Sequence, residues 1–295
     1  MKSQTKVKVY LRNLKFCMRK KENKVLLSIF IKYRKIKNLL IGDKKILHLE
    51  SQLINRYTTS ILCFSTIQMY EIIPIPWTWV VSSKEFTKGK TKIESNSYLI
   101  KTPKMNILID TGSKTLFKVL QEQEVNHLDA ILLTHGHADH IKRLRRLWKR
   151  HKCNIYLHPN DHSLLTDSYL NWSKLVNKTK ITAKKCHPVP LRDSELLRFD
   201  NLSFQVIHTP GHTHGSVMYY CEQLHALFTG DMILWDTIWS TRVPTGNKDE
   251  RKQSIKKIKQ FLGTLPVNTV IYPWHGKRIT LEELQKINPR FKKEK

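Results

Sequence analysis

Acidic residues are scarce in this chain of 295 residues: 24 Asp and Glu stand against 52 Lys and Arg, a formal net charge of +28. Long apolar runs are missing too. In the first 68 residues the longest, Val25 to Ile31, is broken by Ser28, flanked by Lys24 and Lys32, and followed by no small-residue cleavage site. That is too short to span a bilayer and argues against a transmembrane helix or a secretory signal. The five cysteines, Cys17, Cys63, Cys153, Cys186 and Cys221, form no Cys-x-x-Cys pair and are odd in number. This excludes a disulfide framework and points to a reducing, cytoplasmic setting. No inserted nucleic-acid-binding domain and no basic motif interleaved with aromatics is present. What remains is 40% hydrophobic residues, enough for a buried core in one large or two modest domains.

The most informative stretch is Thr134-His135-Gly136-His137-Ala138-Asp139-His140, which follows the apolar run Ala130 to Leu133. Three imidazoles and a carboxylate in one short turn serve no packing purpose, and they are ligand types that Zn²⁺ takes. The stretch reads as half of a metal site. Three later runs each deliver a further ligand to a turn rich in Gly or Pro, where the backbone can bend closely around an ion. Phe204 to His208 leads to His212, Ala226 to Phe228 to Asp231, and Val270 to Tyr272 to His275.

On these residues the chain, over roughly positions 69 to 290, resembles the metallo-β-lactamase-fold hydrolase superfamily, with its His-x-His-x-Asp-His followed by a distant His, Asp and His. The resemblance implies that His135, His137 and His212 hold one metal, that Asp139, His140 and His275 hold a second, and that Asp231 bridges them. Asp139 and Asp231 are the expected catalytic carboxylates. The implied fold is an α+β four-layer αβ/βα sandwich; periodicity alone supports only α/β or α+β. Two Zn²⁺ ions, or Fe or Mn in their place, would lower the pKa of a shared water toward neutrality and polarise a carbonyl, so a Ser or Cys nucleophile is unnecessary.

Single residues separate the branches. His137 stands where the flavodiiron branch has Glu, Asp231 where true β-lactamases usually have Ser or Cys, and Leu234 where the homoserine-lactone-hydrolysing branch typically has Tyr. Thr209 to Thr213 and Tyr272 to Gly276 are similar to the glyoxalase II, or hydroxyacylglutathione hydrolase, group. The 20 residues after His275 leave no room for the C-terminal helical domain with which longer members bind glutathione. The expected activity is therefore hydrolysis of a small thioester or ester, with Lys248, Arg242 or Lys277 as candidates to receive substrate carboxylates. The alternatives are a lactonase, an RNA or nucleotide phosphodiesterase of the same fold, and a non-catalytic polyanion binder.

The chain divides near Met69. Residues 1 to 68 carry +13, which leaves +15 for residues 69 to 295. This basic extension contains no motif and reads either as sequence upstream of a natural start at Met69 or as an arm for nucleic acid or an anionic membrane surface. Beyond it, Asn96 to Lys101 and Asn106 to Asp110 read as neighbouring strands, and Lys114 to Gln123 as a helix. Asp110 reads equally as that helix's N-cap or as a carboxylate that orients a metal ligand. Ile141, Leu144, Leu147 and Trp148 mark a helix with a cationic outer face. A second helix over Asp249 to Leu262 is expected to stop at Gly263. His127 and His151 are expected to face solvent. No role is expected for His158, His162, His187, His208, His214 or His225.

Overall fold

The strands sort their side chains by alternation, and the computed structural model, which describes residues 70–81, 91–176, 180–238 and 240–292, shows two separate destinations for them. In β2 (Thr91–Lys101), Tyr98 and Ile100 point into one cluster and Leu99 into another; in β3 (Asn106–Ile109), Ile107 and Ile109 part from Leu108 in the same way. A strand buried on both faces is apolar throughout, which is why these segments read as continuous apolar runs.

The first sheet has the order β1 (Glu71–Val81), β2, β3, β4 (Ala130–Leu132), β5 (Asn154–Leu157), β6 (Val189–Pro190). It begins antiparallel and is parallel from β3 onward. The second runs β12 (Ile279–Thr280), β11 (Val270–Pro273), β10 (Ala226–Gly230), β9 (Val217–Cys221), β8 (Leu202–His208), β7 (Leu196–Phe199), antiparallel except for β10 against β11. Between the sheets lies a core that includes Tyr98, Ile107, Leu132, Phe204, Tyr219 and Phe228.

Helices cover the two outer faces. Leu116 and Leu120 of α1 (Leu116–Glu122) and Leu144 and Leu147 of α3 (Leu144–His151) pack on the first sheet. Ile258 and Leu262 of α5 (Lys248–Thr264) and Leu281 and Leu284 of α6 (Leu281–Ile287) pack on the second. The short α2 (Ala138–Ile141) and α4 (Ser173–Val176) lie in connections of the first half. The result is the four-layer αβ/βα sandwich expected from the sequence. The basic extension, residues 1 to 68, lies outside the described residues, as do the readings placed on it.

Three local expectations change. The helix after His140 is two helices, α2 and α3, separated by Lys142 and Arg143. Gly263 does not end α5: the helix runs on to Thr264 and stops at Leu265, which is held extended because Pro266 follows. His151 is buried rather than solvent-facing, and its Nδ1 accepts the Leu128 N–H at 3.2 Å. His127 does face solvent.

Candidate metal centre

Strand direction brings the candidate ligands to one edge. β4 carries the 134–140 stretch at its C-terminal end, and β8, β10 and β11, which run in a common direction, carry His212, Asp231 and His275 just beyond theirs. A backbone bond from Val217 N–H to the Thr134 carbonyl, 2.9 Å, ties the two sheets together beside the site.

All seven predicted residues come together, in two groups. In the first, His137 Nδ1 lies 3.1 Å from His135 Nε2 and 3.0 Å from His212 Nε2. In the second, Asp139 Oδ2 lies 3.7 Å from His140 Nε2 and 3.5 Å from His275 Nε2. Asp231 stands between them, with Oδ2 3.4 Å from His212 and 3.6 Å from His275, and Oδ1 3.6 Å from His140. Six of the seven are buried; Asp139 keeps partial exposure.

The outward nitrogen of each imidazole is tied, which decides what the inward one offers. His140 Nδ1–H donates to Asp110 Oδ2 at 2.9 Å, His275 Nδ1–H to the Glu94 carbonyl at 2.7 Å, and His212 Nδ1–H to the Ser240 carbonyl at 2.9 Å. His135 Nδ1–H donates to Thr134 Oγ1 at 3.2 Å, and His137 Nε2–H to the Pro244 carbonyl at 3.4 Å. Five inward nitrogens, each a lone-pair donor when its ring is neutral, therefore converge with two carboxylates.

Such a set fits a pair of cations. His135 Nε2 and His212 Nε2 both crowd His137 Nδ1 at about 3 Å, where a single ring proton serves at most one of them well, so a shared cation suits the three better. His140 Nε2 and Asp231 Oδ1 are buried without a hydrogen-bond partner, which is costly for polar atoms unless a ligand satisfies them. Burial, then neighbouring imidazoles, holds His135 far below its usual range, and burial and His212 bring His137 down to about 3. Burial also lowers His212. All three are thus neutral donors. Burial alone would lower His140 and His275, but nearby carboxylates outweigh it and raise both: Asp110, Asp139 and Asp231 for His140, Asp231 and Asp139 for His275. Conversely, burial favours the protonated Asp139 and Asp231, and the histidines outweigh it and hold both low. Positive charge is thus demanded where the second group stands.

Asp110 is no helix cap: Thr115 occupies that place for α1. At φ +55° the Asp110 carboxylate turns back to accept Thr134 N–H at 2.9 Å and Thr134 Oγ1–H at 2.7 Å besides His140. Sequence reasoning missed two further contributors. Trp274 Nε1–H donates to Asp139 Oδ2 at 3.0 Å. Asp161, fully buried, accepts Gly136 N–H, Thr213 Oγ1–H and Gly215 N–H at 2.7–2.8 Å, and so fastens the His135–His137 loop to the His212 loop. Its setting, Pro159-Asn160-Asp161-His162, looks like any polar turn; the signal for Trp274 was only its place beside His275.

Lys277 sits 4.7 Å from the centre of the Trp235 ring, Lys248 begins α5, and the Arg242 N–H donates to Ser240 Oγ. Among the described residues no ion pair or hydrogen bond joins these three side chains to the cluster.

Fold, edge and ligand set together define a metal-dependent hydrolase class, and the comparisons agree. The sequence profile of the metallo-beta-lactamase superfamily matches residues 91–274, and the chain belongs to that superfamily. It is 30% identical over 199 residues to the probable metallo-hydrolase YqgX of Bacillus subtilis, covering 67% of this chain and 92% of that one. It is 27% identical over 204 residues to the hydroxyacylglutathione hydrolase GloC of Haemophilus influenzae, covering 68% and 93%. Among solved structures it is similar to the BLEG-1 B3 metallo-beta-lactamase, with a TM-score of 0.64 and 28% identity over 76% of this chain and all of that one. Proteins of this fold usually hold two metal ions, and no helix among the described residues is long and apolar enough to cross a membrane.

Proposed function

We propose that the domain from residue 69 to 295 is a dinuclear zinc hydrolase of a small thioester or ester, similar in activity to hydroxyacylglutathione hydrolases and working in the cytoplasm. The observation that carries this reading is the convergence of seven donor groups, five of them imidazoles whose outward nitrogens are already spoken for. His135, His137 and His212 would hold one ion and Asp139, His140 and His275 the other, with Asp231 between them. When bound, such a pair makes water nucleophilic near neutral pH and polarises the carbonyl under attack.

The chain's own residues do the rest. Asp110 and the Ser240, Glu94 and Pro244 carbonyls fix the imidazole tautomers and ring planes. Asp139, partly exposed and oriented by Trp274, is the carboxylate placed to take or return a proton at the open side. Of the cysteines, Cys153, Cys186 and Cys221 are buried, and burial pushes each thiol up to about 11. None of these three supplies a thiolate nucleophile at neutral pH. A thioester suits this arrangement because its thiolate leaves without strong acid assistance. The likeness to GloC supports the same substrate class.

The test is a panel assay on the full chain loaded with zinc, iron or manganese, with S-lactoylglutathione, a short acyl thioester, a lactone, a β-lactam, a bis-aryl phosphodiester and structured RNA. We expect thioester kcat/KM of about 10⁴ M⁻¹ s⁻¹ or more. Thioester turnover no higher than the metal-free control rejects the reading. Preferred turnover of the lactone, phosphodiester or RNA replaces it with the corresponding hydrolase, and salt-sensitive RNA binding without any turnover with a polyanion binder.

A further inference from the structure

Helix α5 borders a cavity of about 450 Å³ that lies outside the ligand cluster. Its lining comes from three separate segments: Ile238 in the loop after Asp231, one face of α5, and Arg290 near the end of α6. The α5 face contributes Lys248, Arg251, Lys252, Lys256 and Lys259. With Arg290 that makes six cations, against one carboxylate, Asp249. Lys248, Lys252, Lys256, Lys259 and Arg290 form no ion pair among the described residues. From Lys248 to Lys259 the cations follow the helix for about 16 Å. Ile238 and Ile255 supply an apolar surface within the same cavity.

Such a charge excess is too great for a single carboxylate or monophosphate to balance, and the volume falls in the range of small-molecule sites, about 300–1,000 Å³. Walls from three segments make a concavity, whereas an extended nucleic acid strand would be served by a flat charged face. The apolar patch suits a ring or chain attached to the anion. The cavity is also coupled to the metal centre. A Cβ on Gly211 would lie 2.5 Å from the Arg251 Cα, and the Asn247 N–H donates to the Gly211 carbonyl at 2.9 Å, so the start of α5 is packed on the loop that presents His212.

We propose that this cavity binds the phosphoanhydride-bearing part of the substrate, a nucleoside-diphosphate-like group, whose reacting carbonyl lies at the His and Asp cluster. This deepens the thioester hydrolase reading and rests on it for the link to catalysis, although the binding site stands by itself.

The probe for the site alone is ADP, titrated calorimetrically into the full chain at low and at about 0.5 M salt. We expect binding that weakens with salt and that falls about tenfold or more in the doubly reversed variant K252E/K256E. Both side chains are exposed, so the fold tolerates the change, and the milder K252A should show a smaller loss in the same direction. The probe for catalysis is a pair of thioesters with one acyl group, one of coenzyme A and one of N-acetylcysteamine, which lacks phosphate. The preference of the wild type for the first should collapse about tenfold in K252E/K256E. Unchanged ADP affinity in the variants, or no preference between the thioesters in the wild type, overturns the proposal. RNA binding lost in K252E/K256E without any ADP binding overturns it in favour of a nucleic-acid surface. If neither thioester is hydrolysed while ADP binding still depends on Lys252 and Lys256, the thioesterase reading fails and the anion site stands.

Discussion

Asp161 and Thr213 meet through a 2.7 Å hydrogen bond inside the protein, and the same carboxylate oxygen receives the Gly136 N–H. This one side chain therefore sets the spacing between the loop that presents His135 and His137 and the loop that presents His212. In D161A the two backbone N–H groups and the Thr213 hydroxyl lose their acceptor, at roughly 1–3 kcal/mol for each buried group left unsatisfied. D161N restores part of the acceptance and should fall between. We expect bound metal in D161A to drop below half of the wild-type value by elemental analysis, with a melting temperature several degrees lower. Full metal content with unchanged melting would show that the loops hold their spacing without Asp161.

Gly112 tests the other approach to the site. A Cβ there would lie 1.4 Å from the Asp139 carbonyl oxygen and 2.8 Å from the Trp274 ring. G112A must push away the backbone that carries Asp139 and His140, and overpacking of this kind costs about 1–3 kcal/mol or more. Gly263 is the matching control, since nothing lies within 4 Å of a Cβ there and the residue is helical. G263A should stabilise by about 0.5–1 kcal/mol. Thermal unfolding of the two variants should therefore move in opposite directions, and only G112A should lose metal.

His158 gives a pH signature away from the cluster. Its ring stacks on His208 at 3.9 Å, and burial, then His208, brings its pKa down from 6.5 to about 4. The folded state thus refuses a proton that the unfolded chain accepts. The contribution of this group to stability is complete above about 6.5 and is lost as pH falls from there to about 4. Replacement by Asn, which can also cap the Pro159–Leu165 turn that His158 Nδ1 caps now, removes the dependence. Chemical denaturation should show the gap between wild type and H158N shrinking by on the order of 1–2 kcal/mol between pH 7 and 4.5. A gap constant across that range would contradict this.

Chelation followed by re-addition of zinc should lower and then restore the melting temperature, with the shift growing with free metal as for any ligand of the folded state alone. H212A should keep at most one ion per chain and lose at least about a hundredfold in thioester turnover.

Much of this centre is legible in the sequence because its candidate ligands cluster where strands end. His135, His137, Asp139 and His140 share a single turn, and His212, Asp231 and His275 each follow an apolar run. The layer arrangement is less so: alternation shows that Leu99 parts from Tyr98 and Ile100, but not which helices cover each side. Asp161 was invisible because its partners are backbone N–H groups of two distant loops, which leave no mark on spacing. His151 was legible and misread: it stands four residues after Leu147 and seven after Leu144, on the face those leucines bury. Gly263 was misread because a glycine near a helix end looks like a stop, while here the following Pro266 sets the boundary.

The bond between Val217 and Thr134 marks a seam with donors on both sides: His135, His137, Asp139 and His140 belong to the first half of the domain, and His212, Asp231 and His275 to the second. Neither half owns a full set for either position. On the proposed dinuclear reading, a growing polypeptide that has released only its first sheet would be unable to trap the ions firmly, so loading would wait until the halves close, and any captured ion would then work as a clasp against their separation.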